Sequence, residues 1–311
     1  MPKKPANLIY GVDENPPTWT TVLLSLQHVF AISTVLSFPV AIVREAGGTP
    51  EQTERLIDVS LIAMGIATIL QSLRYGPIGS GFLCPQRLGL AYLSVSFLAS
   101  KTGGLSLVAG MTIVSGLVGV LLSRVVRHLR PLFPTEVTGT IIVMVALGLV
   151  PRSVSLFLGI ERSELDINPV SVSIAFTTFF VMAGVTVWGS SKLRLYGVLV
   201  GVGVGYVCTY ASGLVTDDHL HRLEQAPLLS LPSLPREGWS FSGALLVPFL
   251  VSALASSLKT VGDLTTCQKV NDAEWRRPDM KSISGGILAV RAVSCCPVGW
   301  ARWGNPQARV T

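Results

Sequence analysis

Apolar residues in this chain fall into runs of membrane-crossing length separated by short polar stretches. The runs are 20–43, 56–73, 105–123, 136–150, 170–188, 194–213 and 241–258. A helix rises about 1.5 Å per residue, so roughly 20 residues cross a bilayer's hydrocarbon layer. An eighth apolar piece, 88–99, is too short to cross alone. It follows RYGPIGSGFLCPQ, where Gly76, Pro77, Gly79, Gly81 and Pro85 disfavour a continuous helix. Two readings stand. One is a loop followed by a short interfacial helix. The other is a discontinuous crossing, with extended backbone at mid-depth and then a half-helix, a device that lets unwound backbone and helix ends bind polar solutes.

The basic residues test the count. With eight crossings and a cytoplasmic N-terminus, Lys3 and Lys4, Arg74, the cluster Arg124, Arg127 and Arg130, the pair Lys192 and Arg194, and Lys269, Arg276, Arg277 and Lys281 all fall on the cytoplasmic side. The outer loops 44–55, 151–169 and 214–240 are mixed or acidic, with Lys101 and Arg152 as minor exceptions. That alternation follows the positive-inside rule. Omitting the short piece would put the Arg124 cluster outside, which argues that residues 76–100 do cross. Pro131 and Pro134 precede a helix expected to start near Thr135, with Glu136 placed to suit its dipole.

Composition agrees. Charged residues are 14% of the chain, against roughly 25% in a water-soluble domain. Hydrophobic residues are 49%, and mean hydropathy is +0.56. Thirty glycines suit helices that pack closely in lipid, and Gly201, Gly203 and Gly205 read as a small-residue packing ridge. The net charge of +6 sits at the ends of apolar runs, so it points to membrane orientation and not to nucleic acid. The cysteines, Cys84, Cys208, Cys267, Cys295 and Cys296, show neither ligand spacing nor a disulfide framework. The polar N-terminus has no cleavable signal pattern. No nucleophile, metal or phosphate-loop motif points to an enzyme.

Polar residues inside apolar runs are candidate functional positions, because lipid penalises them unless they are paired or line a cavity. Gln27 and His28 lie within the first run, where the imidazole is either a proton carrier or a structural hydrogen-bond partner. Ser25, Ser33 and Thr34 can bond their own backbone. The last run continues as ALASSLKTVGDLTTCQKVND. Lys259 and Asp263 are four apart there and share a face if the helix continues. The stretch is either a helix emerging into the cytoplasm with Lys259 snorkelling, or a polar patch lining a cavity.

Several features together resemble the nucleobase–ascorbate transporter family, in particular its bacterial uracil/xanthine permease branch. They are the Gln27–His28 pair, the broken element GSGFLCPQRLGLAYLSVSF, the stretch PLFPTEVTGTIIVMVALGLVP, and SALASSLKTVGDLTTCQKVNDAEWRRPDMKSISGGILA, which resembles the family's eighth helix and following loop. The resemblance covers about residues 15–289. It implies an all-α polytopic membrane protein in the inner (plasma) membrane, comprising the first repeat of a 7+7 inverted-repeat transporter plus the eighth helix.

On that pattern residues 1–19 are a cytoplasmic segment and 20–130 hold crossings 1–4 of a core domain. Residues 131–213 are part of a gate domain, 214–240 an outer loop, 241–289 the eighth helix and its loop, and 290–311 a tail of different character. The resemblance further implies a nucleobase substrate, protons as coupling ion, no cofactor, an elevator-like movement and a homodimer as in the family. Gly81, Phe82 and Leu83 would face the base, and Asp263 matches the family's aspartate. Gln27 and His28 would support architecture and affinity. Lys259 stands where many members carry a base-holding glutamate. A charged lysine donates to carbonyl oxygens but accepts nothing from ring N–H groups.

The tail VRAVSCCPVGWARWGNPQARVT contains no spanning run, and the Asn-x-Gly signature of the family's tenth helix is absent after Ala289. The helix expected after SISGGILA does not develop in the pattern. The tail therefore reads as altered coding, and the chain as transporter-derived but inactive by itself. The competing reading is a complete short membrane protein with a structural or accessory role.

Overall fold

The computed structural model describes residues 4–6, 8–87, 89–129, 135–159, 168–215 and 238–295. Lys3, Arg130, Pro131, Pro134, most of the 214–240 loop and residues 296–311 lie outside them. The described residues form helices and no strands. Four helical stretches are long and apolar enough to cross a membrane: Thr18–Glu45, Leu90–Val125, Pro169–Trp188 and Gly243–Asn271. The chain divides into two compact units, one of residues 1–14, 35–145 and 232–311, the other of 15–34 and 146–231.

In the first unit, α2 (Ser37–Glu45) leads to α3 (Pro50–Ser72). The start of α3 is specified locally. Pro50 occupies its first position, the Thr49 hydroxyl accepts from the Gln52 amide at 3.4 Å, and the Gln52 side chain accepts from the Thr49 amide at 2.9 Å. After α3 the chain runs without helix to a 3-10 turn at Leu90–Tyr92 and then α4 (Leu93–Leu129). Helix α4 is broken at Gly103 and Gly104, the latter at φ +67°, which a residue with a Cβ rarely adopts. In the apolar piece at 88–99 a short helix thus follows non-helical backbone, and the 105–123 run is a separate helix, an arrangement that both readings of this piece share.

Helices α9 (Gly243–Asn271) and α10 (Met280–Cys295) complete this unit. Ala99, Leu107, Val108 and Met111 of α4 close a core with Leu245 and Phe249 of α9. A second core joins Leu264 of α9 to Ile283 and Ile287 of α10. Helix α9 continues to Asn271, so Lys259 and Asp263 lie on helix, as one reading of the stretch allowed. A correction concerns the residues after the loop: a helix runs from Met280 through Ala289 to Cys295, over SISGGILA and the first residues beyond it. Its buried residues mix the small Ser282, Gly285, Gly286 and Ala289 with Ile283 and Ile287. It also carries Arg291, which is buried. The guanidinium donates to Tyr92 Oη at 2.9 Å, lies 5.5 Å from that ring's centre and reaches Ser257 Oγ at 3.5 Å.

The second unit holds α1 (Thr18–Ser33), the latter part of α5 (Thr135–Leu158), α6 (Pro169–Trp188), the short α7 (Ser191–Arg194) and α8 (Gly197–Ala211). The expected first run of 20–43 is two helices, α1 and α2, joined by a 3-10 turn at Thr34–Leu36. Pro39 explains the restart, since it has no N–H to donate to an uninterrupted helix. Helix α1 packs on α8, so residues 15–34 group with this unit and not with 35–130.

The glycine ridge resolves differently from its spelling. Gly201 meets Met182 and Gly205 meets Thr178, both on α6, whereas Gly203 has open space around it. Positions two apart cannot share a helix face, and positions four apart do. Phe157 and Phe176 stack edge to face at 5.0 Å. No residue of α6 is buried, and Phe179, Phe180 and Trp188 are exposed. Such a helix is stable with its apolar sides in lipid and not in water. The protein is an integral membrane protein.

Candidate functional site

The region that brings most of the candidate residues together lies in the first unit, where the loop after α3 meets α9 and α10. Helix α3 ends at Ser72, and Leu73 turns to extended backbone. Tyr75 and Ile78 then exchange two main-chain hydrogen bonds, 3.2 and 3.1 Å, around Gly76 at φ +58°. Gly79 follows at φ +85°, and its amide donates to the Gly285 carbonyl of α10 at 3.0 Å. A Cβ built on Gly79 would lie 1.8 Å from the Leu73 carbonyl oxygen, and one on Gly285 would lie 2.4 Å from the Gly79 carbonyl oxygen. Both positions therefore require glycine.

Ser80 is the knot of this loop. It is fully buried, as is Gln71. Its hydroxyl accepts from Gln71 Nε2 at 3.1 Å and from the Phe82 amide at 3.2 Å, and donates to the Gln71 carbonyl at 3.1 Å. The Ser80 carbonyl accepts from Ser282 Oγ of α10 at 2.6 Å. Further along, the Gln86 amide donates to Thr68 Oγ1 at 3.0 Å. The loop is thus anchored to α3 at both ends and to α10 in the middle. Ser80→Ala is expected to cost about 2 kcal/mol, because it removes one acceptor from two buried donors and leaves no apolar compensation. Thermal unfolding in detergent, compared with Ser72→Ala at the exposed end of α3, checks this.

Between its anchors the loop projects Phe82, half-buried, and Leu83, 76% exposed. The amides of Gly81 and Phe82 are engaged within the loop, with the Leu73 carbonyl and the Ser80 hydroxyl. Cys84 packs on the core of Leu264, Ile283 and Ile287, and Asp263 directly precedes Leu264 on α9. Lys259 Nζ and Asp263 Oδ2 are 2.6 Å apart, both about one-third exposed. Gln268 closes the far end by exchanging hydrogen bonds with the Asp279 backbone, 2.8 and 3.3 Å.

Gly81, Phe82 and Leu83 lie on the loop whose Cys84 packs on the core that holds Leu264 of α9, and Lys259 and Asp263 lie on that helix. Gln27 and His28 are half-buried on α1 in the other unit. Gln71, Ser80 and Ser282 are not legible from the residues alone, because they lie in glycine-rich or helical text with no motif.

What kind of protein builds such a broken element is decided by comparison. Residues 20–290 match the Permease family. The chain belongs to that family. It is the nucleobase–ascorbate transporter family that the sequence pattern resembles, a family of permeases and not of enzymes. The xanthine permease XanQ of Escherichia coli (strain K12) is 27% identical over 303 residues, 93% of this chain and 64% of its own length. The xanthine permease XanP of the same organism is 24% identical over 298 residues, 91% of this chain and 64% of its own length. The uric acid permease PucJ of Bacillus subtilis (strain 168) is 30% identical over 217 residues, 67% of this chain and 47% of its own length. The chain thus spans less than two thirds of the length of these permeases.

Proposed function

We propose that this permease-family chain forms the nucleobase-facing part of a multi-pass transporter of the inner (plasma) membrane, recognising xanthine, uracil or a related purine or pyrimidine. The observation that carries the reading is the broken element at 76–89, glycine-clasped to α10 and packed through Cys84 on the core that includes Leu264 of α9, the residue after Asp263. An interrupted helix of this kind leaves polar groups at membrane depth only where they line a cavity. A nucleobase presents ring N–H donors and carbonyl acceptors in one plane. The carboxylate of Asp263 suits the donors, the ammonium of Lys259 suits the carbonyls, and Phe82 offers a ring face. Relatives named as xanthine and uric acid permeases support the same ligand class.

In the full-length relative, transport would couple to protons, with the core moving against the gate in a homodimeric assembly. The 311 residues alone are expected not to complete a transport cycle. They cover under two thirds of the relatives, and an incomplete bundle exposes polar groups that cost several kcal/mol each in lipid. Two measurements on the purified full chain separate these statements. Saturable binding of radiolabelled xanthine in detergent, displaced by unlabelled uracil or uric acid, is expected. Its absence from a monodisperse, cooperatively melting preparation refutes the ligand class. Uptake into liposomes is expected to stay at background, and uptake above it refutes inactivity while leaving the ligand class standing.

A further inference from the structure

Arg291 is a cation buried inside the first unit, only 4% exposed, and no carboxylate forms an ion pair with it among the described residues. The guanidinium donates to Tyr92 Oη at 2.9 Å, reaches Ser257 Oγ at 3.5 Å and lies 5.5 Å from the centre of the Tyr92 ring. Both oxygen partners are neutral, and the Ser257 hydroxyl already donates to the Ala253 carbonyl at 2.8 Å. A guanidinium has five N–H donors, so three lack a partner among the described residues. Ser257 is the central residue of α9, about 21 Å from either end of that helix by its rise, so the charge sits deep in the membrane-spanning part. Helices α4 and α10 carry no aspartate or glutamate, and the one acid on α9, Asp263, is held by Lys259 at 2.6 Å. No acidic side chain follows Asp279 in the sequence. Two hydroxyls and a ring face do not replace the hydration that a buried ion gives up, and a cation at this depth calls for a countercharge.

We infer that the Arg291 guanidinium, between Tyr92 and Ser257, is a binding site for one small monovalent inorganic anion of the size and charge of chloride. The anion supplies the missing negative charge and accepts from the N–H groups that the two hydroxyls leave over. Its size follows from the surroundings. The stem of Arg291 lies against the bare backbone of Gly119, where a Cβ would come within 2.4 Å of Cδ, so the site admits an ion and not an extended solute. Arg291 ties α10 to the turn before α4 through Tyr92 and to α9 through Ser257. An anion bound there holds the three elements together and stabilises the folded chain by mass action. The site uses none of the residues assigned to the nucleobase and stands apart from that reading.

The test uses the purified full chain in detergent, exchanged into sodium gluconate and titrated with sodium chloride at constant ionic strength. Equilibrium dialysis against radiolabelled chloride is expected to show saturable binding, displaced by bromide or nitrate. The thermal midpoint is expected to rise as chloride replaces gluconate. Arg291→Met removes the cation and should abolish both the binding and the chloride dependence of the midpoint. Arg291→Lys keeps the charge but loses the planar fork, and should weaken chloride binding about tenfold. The inference is overturned if the cooperatively melting parent shows no saturable binding of chloride, bromide or nitrate. It is equally overturned if a folded Arg291→Met keeps the parent's chloride affinity. Should Arg291→Met fail to fold, an unchanged affinity in Arg291→Lys overturns it.

Discussion

Gly79→Ala is expected to destabilise the protein by about 4 kcal/mol and to leave little monodisperse material after extraction. Two terms add. The φ of +85° costs a residue bearing a Cβ roughly 1–2 kcal/mol. The new methyl would also sit 1.8 Å from the Leu73 carbonyl oxygen and 2.6 Å from that of Leu70. Backbone oxygens cannot swing aside as a side-chain end can, so the loop must shift. The shift breaks the Gly79–Gly285 bond and strains the Ser80 knot, at about 1 kcal/mol per hydrogen bond lost. Against a total stability of order 5–15 kcal/mol this is a large fraction. Gly76→Ala is the internal comparison. Gly76 also has positive φ, +58°, but nothing lies near its missing Cβ, so only the conformational part, about 1 kcal/mol, should appear. Equal losses at 76 and 79, measured by thermal unfolding in the same detergent, would show that the clasp on α10 contributes nothing.

Asp263→Asn should separate binding from stability. The substitution keeps the shape but turns one acceptor oxygen into an N–H donor and removes the charge that faces Lys259 at 2.6 Å. An ion pair four residues apart on a helix, with both groups about one-third exposed, is worth roughly 0.3–0.5 kcal/mol, so melting should hardly move. Binding is another matter if Asp263 accepts from ring N–H groups. A hydrogen bond to a charged group is worth about 1.5–3 kcal/mol, so xanthine affinity should fall roughly 10–100-fold. Lys259→Met, which removes the donor to a base carbonyl, should weaken xanthine more than a base with fewer carbonyls. Titrations of the purified variants with labelled xanthine measure both effects. Unchanged affinity in Asp263→Asn would remove it from the ligand wall, and a loss of melting temperature matching the loss of affinity would make its role structural.

How far these features were legible from the residues varies with the physics behind each. Long apolar runs report burial in lipid directly, so α3, α6, α8 and the second helix of α4 appear where the pattern places them. Gly76, Pro77, Gly79, Gly81 and Pro85 report a backbone that cannot stay helical, and the interruption is there. The break between α1 and α2 was hidden because hydropathy does not register a missing N–H, although Pro39 carried the signal. Helix α10 was missed for the opposite reason. Its buried side holds only two large apolar residues, Ile283 and Ile287, among Ser282, Gly285, Gly286 and the buried Arg291, and small or polar residues contribute little to an apolar count. The pairing of loop tip with α9 is a matter of long-range packing. Nothing in the local text around Cys84 says that it will pack on Leu264, Ile283 and Ile287.

The bond from Gly79 to Gly285 joins one main chain to another. A fastening of that sort takes no account of which side chains come next. Phe82 and Leu83 project just beyond it, and neither the Gly79–Gly285 bond nor the Ser80 knot uses their side chains. Those two side chains are therefore free to diverge without altering the path of the loop that presents them. The architecture separates what must stay invariant for the loop to exist from what can vary at its tip, so sequence change at 82 and 83 is decoupled from the path of the backbone.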